Sequence, residues 1–411
     1  MNGIMKCGLV GKTLKHSYSP KIHAYLGDYA YELFSLSEDE LENFILARDY
    51  DALNVTIPYK QAVMPLLDEI SPLAKEIGAV NTIVKKNGKL YGYNTDILGL
   101  DYMLKSVEIE LTNRTVMILG TGGTAKTATV LAKNSGAKKI IIVSRSGEVN
   151  YQNCYLQTDT EVVINTTPVG MFPNSYDSPI DLTRFPNLKG VADVVYNPSK
   201  TLLCYSAQKL GVPNVNGLSM LVAQAKFASD LFTGKTTSED KIPFIVKEIA
   251  KEIENITLIG MAGCGKTTIG KKLAKLTGKR FIDTDELVVK TANKSIEDIF
   301  ATEGEDKFRE YEGLVLKQAE NERGVIIATG GGIIKRNENH YPLSSNGKVV
   351  WIKRDVSLLA KKGRPLSKDD EAVKKLYQER EPIYKACADF SVENSGTIEE
   401  VIKEILTLCE Y

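Results

Sequence analysis

Eight residues in the second half of this chain leave little freedom in what can surround them. "GMAGCGKT", Gly260 to Thr267, is a full match to G-x-x-x-x-G-K-[ST]. Such a loop wraps phosphate in successive backbone amides, which requires a buried strand before it and a helix N-terminus after it. The apolar run "ITLI" precedes it and "KTTIGKKLAKLT" follows it. The segment is therefore predicted to be the first strand–loop–helix unit of a parallel α/β layer. Ala262, Gly263, Cys264, Gly265, Lys266, Thr267 and Thr268 are expected around nucleotide phosphates. Lys266 would neutralise charge and the Thr267 hydroxyl would hold Mg²⁺. The motif identifies a nucleoside triphosphate and says nothing of the acceptor.

A second, unrelated phosphate turn lies upstream. "VMILGTGGTAKTA", Val116 to Ala128, also leaves an apolar strand and opens a helix, but Ala125 stands where a glycine should precede Lys126. Gly120, Gly122 and Ala125 instead fill the three small positions of a dinucleotide fingerprint, with Thr121, Gly123 and Thr124 completing the loop. At the end of the next strand, "KKIIIVSRS", a free ribose 2′-hydroxyl would favour a carboxylate. The chain supplies Ser144, Arg145 and Ser146, which suit a 2′-phosphate and hence NADP.

At 411 residues the chain is long enough for two or three domains. Apolar β-branched runs ("TVMILG", "KIIIVS", "EVVINT", "GVADVVY", "ITLIGM", "VIIATG", "KVVWIK") alternate with helical patterns, predicting α/β layering with parallel sheets. The best boundary follows the polar stretch "TGKTTSEDKIPF". A helix over Pro243 to Glu254, with Phe244, Ile245, Ile249 and Ile253 on one side, leads directly into "NITLIGM". We expect a substrate domain over 1–100, a Rossmann domain with C-terminal helices over 101–254, and a P-loop domain over 255–411. The 52 basic and 52 acidic residues balance in each half, which disfavours nucleic acid as a partner. Six scattered cysteines (7, 154, 204, 264, 387, 409) form no paired metal spacing. No apolar run reaches bilayer length and the first residues lack a signal-peptide core, so a cytoplasmic protein is expected, its oligomeric state open.

Polar fragments without a core role gather before residue 100. "HSYSP" sets Ser17 and Ser19 on one side of an extended segment, although Ser19 could equally cap the helix that Pro20 begins. "NVTIPYK" offers Asn54, Thr56 and Lys60, "AVNT" offers Asn81, and "YNTD" offers Asn94 and Asp96. Together they suit a ligand with several hydroxyls and a carboxylate. The ordered series "HSYSP", "NVTIPYK", "GAVNT", "YNTD", "GTGGTAK", "INTTPVGM", "DVVYNP" and "NGLSMLVAQA" resembles the shikimate dehydrogenase family over Met1 to about Glu254. The resemblance implies that Ser17, Ser19, Asn54, Thr56, Asn81, Tyr196 and Gln224 hold shikimate. It makes Lys60 and Asp96 the catalytic pair, with Val194 and Gly217 on the nicotinamide side. Ketone reduction leaves an alkoxide that needs a proton, which a lysine ammonium oriented by a carboxylate can donate. Two features depart from the family pattern. "SRSGEVN" lacks a second basic residue after Arg145, and the Arg145–Thr160 stretch has room for a strand at "CYLQ" but not for a crossover helix.

Downstream of the P-loop, "FIDTD" gives Asp283 and Asp285, "KFRE" Arg309, "ATGGG" Gly330, Gly331 and Gly332, "GRPL" Arg364 and "REPIY" Arg380. This set resembles shikimate kinase across Asn255 to Tyr411. The resemblance implies Asp285 at the substrate hydroxyls, Arg309 and Arg380 on its carboxylate and the glycine triplet beside its ring. Arg364 would sit in a lid over ATP, with Asp283 near Mg²⁺, directly or through water. The expectation is a bifunctional enzyme. It would reduce 3-dehydroshikimate with NADPH and phosphorylate shikimate with MgATP, on the way to aromatic amino acids. The alternatives are an NAD-using quinate/shikimate dehydrogenase fused to the same kinase, a chain in which one half is a non-catalytic sensor, and an unrelated small-metabolite kinase in the second half.

Overall fold

The structure is a computed structural model that describes residues 4–15, 17–359 and 370–411. His16 and the segment 360–369, which includes Arg364 and nearly all of the expected lid, lie outside the described residues. Contacts divide the chain into two units. The first runs to Tyr196 and resumes over Leu203–Ile249; the second comprises Asn197–Leu202 and Ala250–Tyr411. The division falls inside the Lys241–Ile253 helix, a few residues before the expected boundary at Glu254.

That helix corrects one expectation. Its buried stripe is Ile242, Ile245, Ile249 and Ile253, whereas Phe244 is half exposed and stacks edge-on against Tyr25. The spacing of three and four residues selects Ile242, one hundred degrees per residue leaving Phe244 on the adjoining face.

In the first unit, strands β1 (Lys6–Gly11), β2 (Ala30–Ser35), β3 (Ala52–Val55), β4 (Glu69–Ile70), β5 (Thr82–Lys86) and β6 (Lys89–Tyr93) form a sheet in the order β2-β1-β3-β5-β6-β4. It is mixed rather than wholly parallel, because β5 runs antiparallel to both β3 and β6. The cause is local. Asn87 and Gly88 both have positive φ (52° and 78°), the backbone of a two-residue hairpin turn, and they reverse the chain between β5 and β6.

The second sheet of this unit comprises β7 (Thr115–Leu119), β8 (Lys139–Val143), β9 (Val162–Asn165), β10 (Gly190–Asp193) and β11 (Asn214–Val215). Its order is β11-β10-β9-β7-β8, with every pair parallel. β7, β9 and β10 are buried along their whole length, as their unbroken apolar runs require of strands covered on both faces. The strand expected at "CYLQ" is instead a 3₁₀ turn, Cys154–Leu156. The Asn150 carboxamide accepts from the amides of Gln152 and Asn153, and Asn153 Oδ1 accepts from Asn150 N. These side chains close the backbone into a turn and withdraw it from sheet pairing. Cys154 is buried beneath it.

The second unit is built on β12 (Asn255–Ile259), β13 (Arg280–Asp283), β14 (Val325–Ala328), β15 (Gly347–Lys353) and β16 (Phe390–Glu393), all parallel, in the order β13-β14-β12-β15-β16. β12, the central strand, is fully buried and delivers the P-loop at its carboxyl end, beside the ends of β13 and β14. Ligands of open parallel sheets bind at such an edge, where neighbouring strands connect in opposite directions. Among the described residues, no helix is long and apolar enough to cross a membrane.

Candidate active sites

In the first unit a cleft of about 570 Å³ is lined by Ser17, Ser19, Asn54, Thr56, Lys60, Asn81, Asp96, Tyr196 and Gln224. Asn94, offered with them, is not in its lining: it is buried, its carboxamide donating to Ala79 O and accepting from Ile97 N at the start of the helix. Thr124 of the glycine turn, Val194 and Gly217 line the cleft too, so the expected cofactor and substrate positions open on one space. Lys60 Nζ donates to Asp96 Oδ2 at 2.6 Å, both side chains mostly buried. Asp96 is the first residue of the Asp96–Lys105 helix, where the helix dipole favours negative charge. Its other oxygen accepts from Asn81 Nδ2 at 2.9 Å. Asn81 is fixed in turn, its Oδ1 accepting from Thr95 N (2.7 Å) and the Thr82 hydroxyl (2.9 Å). A buried carboxylate with both oxygens bonded and a lysine held against it form a rigid pair, an arrangement that can pass a proton to a ligand in the cleft.

Ser19 does not cap its helix. It is the first helical residue, and Ser17 Oγ accepts from Ser19 N at 3.2 Å instead. The far wall of the cleft is the Leu218–Thr233 helix, which supplies Met220, Leu221 and Gln224. It meets the Asp96–Lys105 helix at Gly99, where a Cβ would lie 2.7 Å from the Met220 carbonyl oxygen and 3.0 Å from Gln224 Cβ.

On the cofactor side, Gly122 and Gly123 face open space while Ala125 is buried against the sheet, the division of labour expected of the fingerprint. A Cβ on Gly217 would sit 2.0 Å from the Val194 carbonyl oxygen, so only glycine lets these two backbones touch. Sequence reasoning missed the residues that hold this corner. Buried Asp193 accepts from Asn165 Nδ2 (2.9 Å) and Val195 N (3.0 Å), and Asn165 Oδ1 accepts from the hydroxyl and amide of Thr167. Both were in view, in "INTTPVGM" and "DVVYNP", but nothing in spacing pairs them. Arg145 and Ser146 stand exposed beyond β8, and Ser144 N donates to Val149 O across the turn.

In the second unit Gly263 and Gly265 adopt φ of 86° and 107°, turning the loop so that its amides converge. Buried Lys266 Nζ donates to the carbonyls of Gly260 (2.8 Å) and Met261 (3.0 Å). Asp283 is shared: Oδ2 accepts from the Thr267 hydroxyl at 2.9 Å, and Oδ1 accepts from Asp285 N, capping the Thr284–Ala292 helix. Thr268 follows exposed on the first turn after the loop, and Asn394, not foreseen, donates to Cys264 O at 2.7 Å.

The acceptor-side residues converge at the end of β14. Arg309, buried, pairs with Glu305 (2.8 Å) and with Glu312 on its own helix, Gly304–Glu320. Arg380 Nη1 donates to Gly331 O at 3.0 Å, and the buried Tyr384 hydroxyl donates to the same oxygen. Each glycine of the triplet is small for a separate reason. A Cβ at Gly330 would meet the carboxylates of Glu312 and Asp285, one at Gly331 would press on the Ala262 amide of the P-loop, and one at Gly332 on the Arg309 guanidinium. Burial pushes the Glu312 carboxyl up to about 7; Arg309 opposes the shift and the nearby Asp285 charge adds to it. Glu312 was legible only as a residue three after Arg309.

Comparison with known proteins agrees with both halves. Residues 9–83 match the family model for the shikimate dehydrogenase substrate binding domain, and residues 262–410 match that for shikimate kinase. The shikimate dehydrogenase (NADP(+)) of Clostridium perfringens is 38% identical over 258 residues, 57% of this chain and 95% of that protein. Among solved structures, shikimate dehydrogenase 1 from Peptoclostridium difficile is similar with a TM-score of 0.55 and 35% identity, over 60% of this chain and 98% of that one. A chorismate mutase/shikimate 5-dehydrogenase fusion protein from Clostridium acetobutylicum is similar with a TM-score of 0.58 and 33% identity, over 60% and 97%. The chain thus belongs to the shikimate dehydrogenase family through its first unit and carries a shikimate kinase domain in its second, a bifunctional enzyme of the shikimate pathway.

Proposed function

We propose that the first unit works chiefly as an NADPH-dependent reductase of 3-dehydroshikimate, and that the second phosphorylates the resulting shikimate with MgATP. The observation that supports this most is the meeting of Lys60 and Asp96, 36 residues apart in sequence, at 2.6 Å inside a cleft lined by hydroxyl and amide side chains. Lys60 donates the proton that the developing alkoxide needs, while Asp96 holds the lysine aimed. Ser17, Ser19, Asn54, Thr56, Asn81, Tyr196 and Gln224 orient the ring. NADPH supplies the hydride; the open face of Gly122 and Gly123, where a Cβ would meet nothing, fits its pyrophosphate. Arg145, with Ser144 and Ser146, selects the 2′-phosphate.

In the kinase domain the P-loop amides and Lys266 hold the phosphates, and Asp285 orients the attacking hydroxyl. Arg309 and Arg380 bind the carboxylate, a task suited to guanidinium forks. The hydroxyl–carboxylate pair of Thr267 and Asp283 is a set of hard oxygen donors beside the phosphates and fits Mg²⁺, with Asp283 reaching it directly or through water. Mg²⁺ held there by these residues would supply neutralisation of phosphate charge. Arg364 is proposed as a further residue on ATP.

The test is one assay of purified chain with 3-dehydroshikimate, NADPH and MgATP, following shikimate and shikimate 3-phosphate. Both products should appear in sequence. Equal efficiency with NADH would shift the dehydrogenase toward an NAD-using quinate/shikimate enzyme, the alternative that the missing second cation after Arg145 favours. Absence of either product would defeat that half of the proposal.

A further inference from the structure

The dehydrogenase cleft contains a lysine to which the proton chemistry gives no role. Lys15 is exposed and yet belongs to the lining, beside Leu14 and Ser17, so it stands where the cleft meets solvent. Its backbone is fixed while its side chain is not. Leu14 is buried against Gly11, where a Cβ would come 2.9 Å from Leu14 Cδ2. Ser17 N donates to Leu14 O at 3.1 Å and closes a turn that carries Lys15. None of the described residues pairs with the Lys15 side chain. Lys12, three positions earlier, is by contrast committed to Glu38 at 3.5 Å and does not line the cleft.

Without Lys15 the lining has no charge to offer an acid. Among the described residues its other charged side chains are Lys60 and Asp96, joined at 2.6 Å. Wherever the proton between them sits, the two together sum to zero. The remaining polar groups, such as Ser17, Ser19, Thr56 and Gln224, are neutral. A carboxylate that leaves water for such a space loses hydration, and neutral donors replace it only in part. A lysine is a compact charge on a flexible stem, able to meet an acid in solvent and follow it inward. Apolar walls such as Leu9, Val55 and Met220 concentrate its field at the opening.

We propose that Lys15 is a specificity residue of the dehydrogenase, pairing with the ring carboxylate and so favouring ring acids over uncharged ring alcohols. Ser17 and Ser19 reach the cleft from the same stretch, so one segment offers the carboxylate both a charge and hydroxyl donors. The phosphates of NADP have other places proposed for them, the glycine turn and Arg145.

This rests on the dehydrogenase assignment of the cleft, and the experiment separates the two. Steady-state oxidation of shikimate by NADP⁺ is measured for the full chain and its Lys15→Met, Lys15→Glu and Lys15→Arg variants, with uncharged methyl shikimate as a competing inhibitor. Lys15→Met should raise the shikimate KM about 5-fold or more, an effect between that of an exposed ion pair and that of a full charge-assisted bond. Its kcat, its NADP⁺ KM and its inhibition constant for the ester should stay within about twofold of the unmodified chain. Lys15→Glu should raise the shikimate KM further, and Lys15→Arg should keep it near the parent value. Added salt should lower kcat/KM for shikimate more in the parent than in Lys15→Met. An unmoved shikimate KM in Lys15→Met, equal weakening of acid and ester, or a rise confined to NADP⁺ would each overturn the inference and leave the dehydrogenase assignment standing. An unmodified chain inactive on shikimate would sink both.

Discussion

Replacing Gly331 or Gly332 by alanine should damage different halves of the same kinase reaction. Neither glycine has a positive φ, so alanine brings no backbone strain at either position and the effect is one of space. At Gly331 the new Cβ would lie 2.7 Å from the backbone nitrogen of Ala262, whereas ordinary contact begins near 3.4 Å. The gap must open by about 0.7 Å, and the obstacle is P-loop backbone, which cannot rotate aside. Overpacking of this kind costs about 1–3 kcal/mol. Expressed wholly in nucleotide binding, that is a rise of roughly 5- to 150-fold in the ATP KM, since 1.4 kcal/mol is tenfold.

At Gly332 the obstacle is the Arg309 guanidinium, the mobile end of a side chain. Arg309 can swing away only by leaving Glu312 and the place proposed for the substrate carboxylate. Gly332→Ala should therefore raise the shikimate KM and spare that for ATP. The assay is initial-rate kinase turnover, varying each substrate at saturating levels of the other. An ATP KM within twofold of the parent in Gly331→Ala, or an exchange of the two effects, would refute the assignment of the triplet.

Lys266→Met should abolish phosphoryl transfer and leave ketone reduction nearly unchanged. Lys60→Ala should lower reduction by roughly 10²–10⁴-fold and spare the kinase; loss of both activities in a folded variant would disprove two separate sites. Arg145→Ala should raise the KM for NADPH and hardly move that for NADH, with the parent preferring NADPH by about 10- to 100-fold in kcat/KM, a range set by a single charge-assisted contact. His23 should show in acid unfolding. Its folded value of about 3 lies below the ordinary 6.5, so its contribution is present above about pH 6.5 and is lost as pH falls through the window to 3. The slope is about 1.4 kcal/mol per pH unit, and His23→Phe should remove up to one proton of uptake on unfolding; an unchanged acid limb would contradict the burial of a neutral imidazole.

The readable parts of this chain were those where chemistry is written locally. A phosphate turn needs its glycines, lysine and threonine within eight residues, so both nucleotide turns and the strands before them could be located from sequence. Lys60 and Asp96 were legible as residue types in matching motifs, but their meeting depends on β3 and β6 being separated only by β5 in one sheet. The reversal from β5 to β6 in that sheet hangs on the φ values of Asn87 and Gly88, a two-residue signal easily lost among longer patterns. "CYLQ" misled because alternating apolar residues suit a strand and a buried 3₁₀ turn alike; the asparagines on either side decided it. The roles of Tyr384 and Asp193 were not legible for another reason. Each meets a partner distant in sequence, Gly331 and Asn165, and a lone phenol in a helix or carboxylate at a strand end carries no mark of what it will touch.

Gly99 contributes no side chain, yet it sets a dimension. The helix bearing Asp96 and the helix bearing Gln224 rest against each other there, one turn beyond the Lys60–Asp96 pair. The aperture of the cleft is thus gauged by a hydrogen atom at a position that does not line it. A methyl group at residue 99 would act as a shim, parting the two walls by several tenths of an ångström while leaving every ligand-facing group chemically intact. Gly99→Ala should then relax discrimination against bulkier ring acids more than it alters preference between cofactors, a comparison of kcat/KM across a graded ligand series being the measure. Size tolerance and chemical recognition are, in this fold, adjusted at different residues.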